Sequence, residues 1–353
     1  MPLEERLNLI RQVGEEIVSE EELINLLESG EDLIAYDGIE PSGELHIAHG
    51  LLRTININKM IKAGIRFKML LADWHAMANN KMGGDLEKIQ TVGKYFIEVW
   101  KAAGMDLSKV EFIWASNLVK DPKYWQLVLR VGMTNKLRRF VRTAEIMGRA
   151  ESIDNLTAAQ IIYPCMQTAD IFYLGAKICQ LGMDQRKVNM LAREIGSQLG
   201  FWKPVVISHH MLMGLSKPQY QKSNIKNQND ISNIKKEEKI SKTIALKMSK
   251  SIPDSAIFMT DTKEDIKRKI TKAYCPEGQI EDNPLLEYYK YIIFESLDRL
   301  GMNNIVIDRP TKFGGPVVLN SYENLEKLFV AKKPVSYTHL RAHETPEHLV
   351  CRL

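Results

Sequence analysis

Two short stretches of the sequence carry residues that could bind phosphate. His46 and His49 stand three residues apart at the predicted start of a helix, so their imidazoles share the face of its first turn. Backbone N–H groups at a helix start attract anions, and imidazoles add donors at the same place. Far downstream, Lys247 and Lys250 in the stretch KMSKS offer two mobile ammonium groups for polyphosphate oxygens. Each stretch alone fits an ordinary surface role, whereas the two together predict a nucleotide site.

A polar stripe on an otherwise apolar helix predicts a second site. Tyr163, Gln167 and Asp170 fall at positions i, i+4 and i+7 within residues 155–175, so they share one helix face. Buried polar groups need hydrogen-bond partners, so the stripe predicts a pocket for a polar ligand. A solvated helix face is the alternative. Pro164 inside the same helix predicts a local kink.

Apolar segments that alternate with helical segments predict the scaffold that positions both sites. Strands that alternate with helices form a parallel sheet covered on both faces. The predicted fold class is therefore α/β, a doubly wound parallel sheet of Rossmann type that binds ligands at the carboxyl ends of its strands. A turn that contains Gly43 follows the first strand and precedes His46, and a helix is predicted at 185–199. The predicted strands are residues 33–40, 67–76, 111–117, 177–182 and 204–210.

Changes in composition and periodicity divide the chain into segments. One insert is rich in Lys, Asn, Gln and Ser and cannot bury enough apolar surface to offset its ordering entropy, so a mobile surface insert is predicted. The predicted segments are an N-terminal helical segment (1–32), a Rossmann-type domain (33–215) with a connective insertion at about 118–155, the flexible insert (216–246), the KMSKS loop (247–261), a small helical domain (262–334) and a tail (335–353).

The composition excludes several classes of protein. Of the 353 residues, 44% are hydrophobic and 26% are charged, which excludes a fibrous or wholly disordered chain. The net charge of +4 is too small to indicate a nucleic-acid coat or a membrane-surface protein. No apolar run could span a bilayer, and the acidic N-terminus is unlike a signal or transit peptide, so we expect a cytoplasmic protein. The 4 widely spaced cysteines indicate neither a zinc site nor a disulfide scaffold.

The combination of HIAH near the first strand and KMSKS after the last resembles the class I aminoacyl-tRNA synthetases. The wider stretches YDGIEPSGELHIAHG, ADWHAMANNK, YPCMQTADIF, LGMDQRKVNMLARE and SHHMLMGLS resemble tyrosyl-tRNA synthetases of the archaeal and eukaryotic type. Ala48 stands where many class I enzymes have Gly, as in eukaryotic-type tyrosyl enzymes. The resemblance implies a tyrosine–tRNA ligase, which forms tyrosyl-adenylate from tyrosine and ATP and then charges tRNA(Tyr). The alternatives are a tryptophanyl-tRNA synthetase and a catalytically silent tRNA-binding relative.

The resemblance also implies roles for individual residues. Tyr36 and Asp170 would bind the phenolic hydroxyl of tyrosine, which argues against tryptophan because an indole has no phenol. His75 and Asn79 fit either the lining of the cavity or core packing. The α-amino end of tyrosine would be held by Tyr163, Gln167 and Gln185. ATP, with Mg²⁺ on its pyrophosphate and no dedicated metal site in the protein, would be bound by Gly43, His46, His49, Asp184, Lys247, Ser249 and Lys250. The residues expected to stabilise charge on the phosphates are His46, His49, Lys247 and Lys250.

Two further expectations concern the partners and the end of the chain. The insertion carries the basic residues Lys136, Arg138, Arg139, Arg142 and Arg149. They fit either a solvated face or tRNA contacts, and the resemblance places the insertion near a homodimer interface and the acceptor stem. From about 335 the chain resembles a translated sequencing-adaptor artefact, which implies that the helical domain, the anticodon-binding domain of the family, is truncated. We therefore expect adenylate formation but weak tRNA charging.

Overall fold

The structure is a computed structural model, and the residues that it describes are 1–144, 156–218, 231–307, 311 and 315–331, with the backbone alone at 231–237. The chain divides into two compact units. The first unit comprises Met1–Gly43 and Asn56–His210, and the second comprises Glu44–Ile55 and Met211–Leu353.

Helices and strands alternate through most of the described residues. The strands are β1 Gly14–Val18, β2 Ile34–Ile39, β3 Arg66–Leu71, β4 Val110–Trp114, β5 Ile178–Gly182, β6 Val205–His209, β7 Ile305–Ile307 and β8 Val317–Leu319. The α-helices are α1 Leu3–Val13, α2 Glu20–Glu28, α3 Arg53–Lys62, α4 Asp73–Ala78, α5 Leu86–Ala102, α6 Ala115–Leu118, α7 Pro122–Gly132, α8 Leu137–Ala144, α9 Ala158–Tyr173, α10 Arg186–Ile195, α11 Ile231–Leu246, α12 Lys263–Lys272, α13 Pro284–Tyr288 and α14 Tyr322–Val330. Among these described helices, none combines the length and the apolar character needed to cross a bilayer.

The first unit is built on a six-stranded sheet with the strand order β1-β6-β5-β2-β3-β4. The strands from β6 to β4 are parallel to their neighbours. All residues of β5 and β6 are buried, as expected for strands covered on both faces. The predicted α/β fold class is confirmed. The chain order reverses between β2 and β5, so ligands are expected at the carboxyl ends of these two strands.

The N-terminal segment is not helical throughout, so that prediction is wrong for residues 14–18. They form β1, which pairs antiparallel with β6 at the edge of the sheet. Ile17 and Val18 are β-branched and favour a strand, and they pair with Ile207 and Val206. Residues 14–18 form a strand and not a helix because their pairing with β6 outweighs the helical spacing of the local sequence.

Two predicted strands end earlier than their apolar sequences indicate. The strand predicted at 67–76 is β3, which stops at Leu71, and α4 begins at Asp73. The buried Asp73 carboxylate accepts hydrogen bonds from the backbone N–H groups of Trp74 and Ser116 at 3.0 and 2.9 Å. Gln90 donates to the other oxygen of Asp73 at 2.9 Å. The side chain thus terminates the strand. In the same way, β4 stops at Trp114 and the chain continues as α6.

The second unit departs from the prediction in two places. The flexible insert predicted at 216–246 is wrong for residues 231–246, which form α11. Lys, Glu, Ala and Leu are strong helix formers, and Lys242 Nζ lies 2.6 Å from the Asp282 carboxylate, which ties the helix to this unit. The segment predicted as helical at 262–334 contains α12, α13 and α14, but also the antiparallel pair β7 and β8. Residues 335–353 lie outside the described residues.

Gly196 controls the path of the chain from α10 to β6. Its backbone is helical, with φ −54° and ψ −52°, so the conformation itself allows any residue. However, a Cβ atom at this position would lie 2.3 Å from the backbone oxygen of Trp202. The indole of Trp202 is itself fixed, because its Nε1 donates to the carbonyl of Ala176 at 2.8 Å.

We predict that Gly196→Ala destabilises the protein by about 1–3 kcal/mol, because the added methyl group overpacks a backbone contact that cannot move. An ordinary helical Gly→Ala change would instead stabilise by up to about 1 kcal/mol, so the sign is informative. Denaturant unfolding of the variant, with the exposed neighbour Ser197→Ala as control, measures the effect. A Gly196→Ala variant as stable as the wild type would contradict this packing.

Candidate active site

Four of the predicted site residues are buried together in the first unit. Tyr36 lies on β2, and α9 carries Tyr163, Gln167 and Asp170. Helix α9 begins with a capping box of Thr157 and Gln160 and packs against α4, α7 and α8. Tyr36 and Asp170 both help to raise the pKa of Tyr163, after the larger effects of burial and Glu40, which is consistent with these side chains lying near one another. The stripe predicted on α9 is therefore buried and is not a solvated face.

The Asp170 carboxylate is held by two neighbours. The Tyr124 hydroxyl donates a hydrogen bond to Asp170 Oδ1 at 2.8 Å, and His75 Nε2 lies 2.9 Å from Asp170 Oδ2. Burial lowers the pKa of His75, but the Asp170 charge and hydrogen bond outweigh it, so the pKa is raised overall. Burial, followed by the Asp170 charge, raises the pKa of Tyr124 well above its usual value. This end of the pocket presents a carboxylate fixed in place by a phenol and an imidazole.

A second group of polar side chains lies near the carboxyl end of β5. Gln167 Nε2 donates to Gln185 Oε1 at 3.0 Å, which joins two of the predicted residues. The buried Gln167 Oε1 has no hydrogen-bond partner within the part of the chain that the structure describes. Asp184, beside Gln185, lies in the turn of Met183–Gln185 directly after β5 and is partly exposed. These residues offer an acceptor for a donor-bearing ligand.

Glu40 is a pocket residue that the sequence patterns did not single out. Its carboxylate bonds the Tyr163 hydroxyl and accepts from Asn79 Nδ2 at 3.0 and 3.2 Å. Burial, then the charge and hydrogen bond of Glu40, raise the pKa of Tyr163 well above its usual value. Lys81 Nζ lies 3.5 Å from the same carboxylate. The pocket therefore carries negative charge at this end as well, which suits a ligand with an ammonium group.

The paired histidines lie in the second unit as a stacked pair. The ring centroids of His46 and His49 are 4.1 Å apart with planes 23° from parallel. The backbone N–H groups of His49 and Gly50 both donate to the His46 carbonyl at 2.9 Å. Residues 48–52 form a turn of π-helix before α3, where the sequence predicts an ordinary helix start. The predicted Gly43 precedes them in a left-handed conformation, with φ +67°.

The KMSKS loop is fixed at both ends by backbone hydrogen bonds. At its start, the Met248 N–H donates to Leu212 at 2.7 Å. Near its end, the Ile47 N–H donates to the Ile257 carbonyl at 2.9 Å, next to an isolated bridge between His46 and Phe258. Inside the loop, the hydroxyls of Ser249 and Ser251 lie 2.8 Å apart. The loop and the segment that carries the histidine pair are therefore joined by backbone hydrogen bonds.

Both histidines are neutral at pH 7. Burial, followed by the charges of Lys250, Arg53 and Lys247, lowers the pKa of His46 to about 3. Burial, His46, Arg53 and the two lysines lower the pKa of His49 as well. Each neutral ring offers one donor and one acceptor, while the charge of this site comes from Arg53 and the lysines. The structure thus brings the predicted His46, His49, Lys247 and Lys250 together.

The positions of Tyr124 and Arg53 could not have been found from sequence patterns. Tyr124 lies on the amphipathic α7, where an aromatic residue reads as ordinary core. Arg53 begins α3 among polar and apolar residues without any motif. Within the described ranges, no group of three or more His, Cys, Asp or Glu side chains could hold a metal ion.

The depressed pKa of His46 predicts a pH effect on stability. Between about pH 3 and pH 6.5 the unfolded chain binds a proton at this residue and the folded chain does not, so stability is lost as the pH falls through this range. His46→Gln should flatten that slope in urea unfolding series between pH 6.5 and pH 4.5. Glu22 adds little to this slope. Burial would raise its pKa, but hydrogen bonds from Lys203 and Arg193 outweigh burial and lower the pKa from 4.5 to about 2, so its stabilisation is lost mainly as the pH falls below about 4.5. Parallel curves for the two proteins would contradict the buried, neutral imidazole.

Comparison with known proteins places this geometry in a family. The chain matches the family described as tRNA synthetases class I (W and Y) over residues 28–342. It is 49% identical over 326 residues to "Tyrosine--tRNA ligase 1, cytoplasmic" of Arabidopsis thaliana, which covers 92% of this chain and 76% of the relative.

Solved structures agree with the sequence match. The tyrosyl-tRNA synthetase of Pyrococcus horikoshii complexed with L-tyrosine has a TM-score of 0.86 at 36% identity, covering 100% of this chain and 94% of that one. The Leishmania major tyrosyl-tRNA synthetase in complex with tyrosinol has a TM-score of 0.83 at 42% identity, and this chain spans 49% of its length. The chain therefore belongs to the class I aminoacyl-tRNA synthetases, among the tyrosyl-tRNA synthetases of the archaeal and eukaryotic type.

Proposed function

We propose that the protein is a tyrosine–tRNA ligase that activates tyrosine with ATP and transfers the tyrosyl group to the 3′ end of tRNA(Tyr). The observation that carries the proposal is the buried Asp170 carboxylate, which Tyr124 and His75 hold in a pocket shared with Tyr36. A fixed carboxylate at the end of a buried pocket suits a phenolic hydroxyl. The names of the relatives and the tyrosine bound in the Pyrococcus protein support the same substrate.

In the proposed site, tyrosine is oriented by its two ends. Tyr36 and Asp170 bind the phenolic hydroxyl, and Tyr163, Gln167 and Gln185 bind the α-amino group. The free acceptor of Gln167 supports the second assignment, because an ammonium group donates hydrogen bonds and accepts none. The negative charge of Glu40 beside Tyr163 adds electrostatic attraction for the same group.

The proposed chemistry needs no protein nucleophile. A carboxylate oxygen of tyrosine attacks the α-phosphorus of ATP, a new P–O bond forms, and the bond to the bridging oxygen of the β-phosphate breaks to release diphosphate. Positioning and charge stabilisation supply most of the catalysis in such transfers. We assign the stabilisation of the phosphates to His46, His49, Lys247 and Lys250, with further ATP contacts from Gly43, Asp184 and Ser249. Mg²⁺ would enter with the triphosphate and neutralise part of its charge.

The alternative of a tryptophan enzyme fits the pocket less well. An indole offers one N–H donor and has no hydroxyl that could both donate to Asp170 and accept from a neighbour. A silent tRNA-binding relative would have no need for the three cations that act on the stacked histidines. We therefore keep tyrosine activation as the function.

For partners we propose tRNA(Tyr) and a second copy of the chain, in the cytoplasm. Three apolar side chains at the end of α7 and the start of α8 are exposed, which favours an apolar contact with another protomer: Leu129 (68%), Met133 (85%) and Leu137 (53%). Next to them, Lys136, Arg138 and Arg142 are exposed and could meet phosphates, whereas Arg139 forms two hydrogen bonds with Glu194. Arg149 lies outside the described residues.

We predict tyrosine-dependent exchange between ATP and labelled diphosphate, with phenylalanine and tryptophan slower by about 10⁴ or more. Phenylalanine has no hydroxyl and would leave the polar groups around Asp170 unpaired. A tyrosyl-tRNA synthetase is itself the established example of this effect, with a preference for tyrosine over phenylalanine of about 10⁵. The measurement is kcat/KM for each amino acid at saturating ATP. Comparable rates with tryptophan would overturn the tyrosine assignment.

We also predict that Tyr124→Phe raises the KM for tyrosine about tenfold or more and leaves the KM for ATP unchanged, because the Asp170 carboxylate loses a charge-assisted donor. Tyr173→Phe is the matched control. Its hydroxyl donates to Asp121, away from the pocket, and its ring contacts Tyr124 edge-on. Equal effects of the two changes would show that the Tyr124 hydroxyl does not support the tyrosine site.

A further inference from the structure

Helix α13 holds the backbone of Met213 through two side chains. The Met213 N–H donates to the Glu287 carboxylate at 2.9 Å, and the Tyr288 hydroxyl donates to the Met213 carbonyl at 2.7 Å. Both polar groups of the Met213 backbone are therefore bonded to neighbouring residues of one helix. Met213 and Tyr288 are buried, so little water can compete for these hydrogen bonds. All of these contacts lie within the second unit.

On its other side, Met213 faces the start of the KMSKS loop. Met213 and Lys247 form an isolated antiparallel bridge. The two hydrogen bonds of the bridge come from their neighbours. The Gly214 N–H donates to the Leu246 carbonyl at 3.0 Å, and the Met248 N–H donates in the opposite direction at 2.7 Å. In such a pair the two opposed residues do not bond each other, and the N–H and C=O groups of each point away from the partner chain segment.

The outward groups of Met213 are the two that α13 binds. Met213 therefore lies between α13 and the first lysine of the loop. The loop also returns to the same segment, since the Leu215 N–H donates to the Ser255 carbonyl at 2.8 Å. The segment of residues 212–215 thus holds the loop on both sides of Lys250.

The start of α13 is itself fixed by a buried cap. The Asn283 side chain accepts from the Leu286 N–H at 3.4 Å and donates to the Gln279 carbonyl at 3.0 Å. Asn283 is fully buried, and Pro284 at the first helical position has a φ angle that suits a helix. A fixed helix start sets the positions of the two side chains that hold Met213.

We propose that Glu287 and Tyr288 are positioning residues of the activation step, which act through Met213 to hold the lysines of the KMSKS loop in place for the phosphates of ATP. The proposal rests on the proposed function, in which these lysines stabilise the phosphates. It also gives the segment predicted as a small helical domain (262–334) a part in adenylate formation. A purely structural role, in which the two side chains only stabilise the second unit, is the competing explanation.

The test compares Tyr288→Phe, Glu287→Leu and Glu287→Gln with a matched control, Tyr289→Phe. Tyr289 is the next residue and is equally buried, and its hydroxyl has no hydrogen-bond partner within the residues that the structure describes. The measured quantities are the rate of tyrosyl-adenylate formation at saturating substrates and the KM values for tyrosine and ATP.

We expect Tyr288→Phe and Glu287→Leu to lower the rate at saturation about 10- to 50-fold, because each leaves a buried backbone group of Met213 without its partner. The KM for tyrosine should stay within about twofold. Glu287→Gln keeps an acceptor for the Met213 N–H and should lose much less than Glu287→Leu, and Tyr289→Phe should match the wild type.

A double-mutant cycle separates positioning from a structural role. A residue that acts through the lysines has little left to do once a lysine is removed, so in a Lys247→Ala background the loss caused by Tyr288→Phe should shrink to within about threefold. A structural role would give the same factor in both backgrounds. Hydrogen exchange without substrates is a second readout, and we expect faster exchange at Met213 and in residues 247–251 for Tyr288→Phe and Glu287→Leu but not for Tyr289→Phe.

Equal factors in the two backgrounds, or a wild-type rate in folded Tyr288→Phe, would overturn the proposal. If Tyr288→Phe does not fold, equal rates for Glu287→Leu and Glu287→Gln would overturn it. Absence of tyrosine-dependent exchange in the wild type would instead overturn the proposed function, and hydrogen exchange would then still decide whether α13 holds the loop.

Discussion

The Asp170 carboxylate is removed from water, and this imposes the main constraint on the first unit. A buried charge costs several kcal/mol unless donors or an opposite charge replace its hydration. Tyr124 and His75 supply that replacement, one at each oxygen. They come from α7 and α4, and both helices pack on α9, which carries Asp170. The packing of α4 and α7 on α9 therefore determines the contacts of this carboxylate. A shift of any of the three helices would change the distances from Asp170 to Tyr124 and His75.

The second unit has the opposite electrostatic character. Its stacked histidines lie in the field of three cations, and their neutrality is a consequence of burial and of that field. The order of the site comes from the backbone. A Cβ atom at Gly50 would lie 2.6 Å from the Met259 sulfur, so the Met259 side chain packs directly on the histidine turn, with which its segment pairs. The Asp261 carboxylate anchors that segment further, since it accepts from the Phe258 N–H at 2.8 Å and pairs with the buried Lys269.

The sequence patterns predict the parallel strands and the polar stripe of α9, because each depends on local spacing. They also predict one site for HIAH and KMSKS, because the residue types of both stretches suit phosphate. What they miss depends on distant pairing. The strand β1 exists because Ile17 and Val18 meet β6, and α11 exists although its composition reads as disordered. In the sequence, Tyr124 is indistinguishable from a core aromatic residue. Only the fold shows that its hydroxyl on α7 meets the Asp170 carboxylate on α9. Glu40 and Arg53 belong to no motif, so their roles require coordinates.

The edge strand β1 also determines how the chain can fold during synthesis. Ile17 leaves the ribosome well before its partner Ile207, which is made only after the other strands of the large sheet. The β2, β3 and β4 strands can pair in order as they emerge, while β1 must wait and then dock last against β6. Until it does, β6 presents the open backbone edge of a wholly buried strand, which other chains could extend. The sheet is thus complete only when β1 docks on β6, and the nascent protein is most prone to aggregation just before this docking.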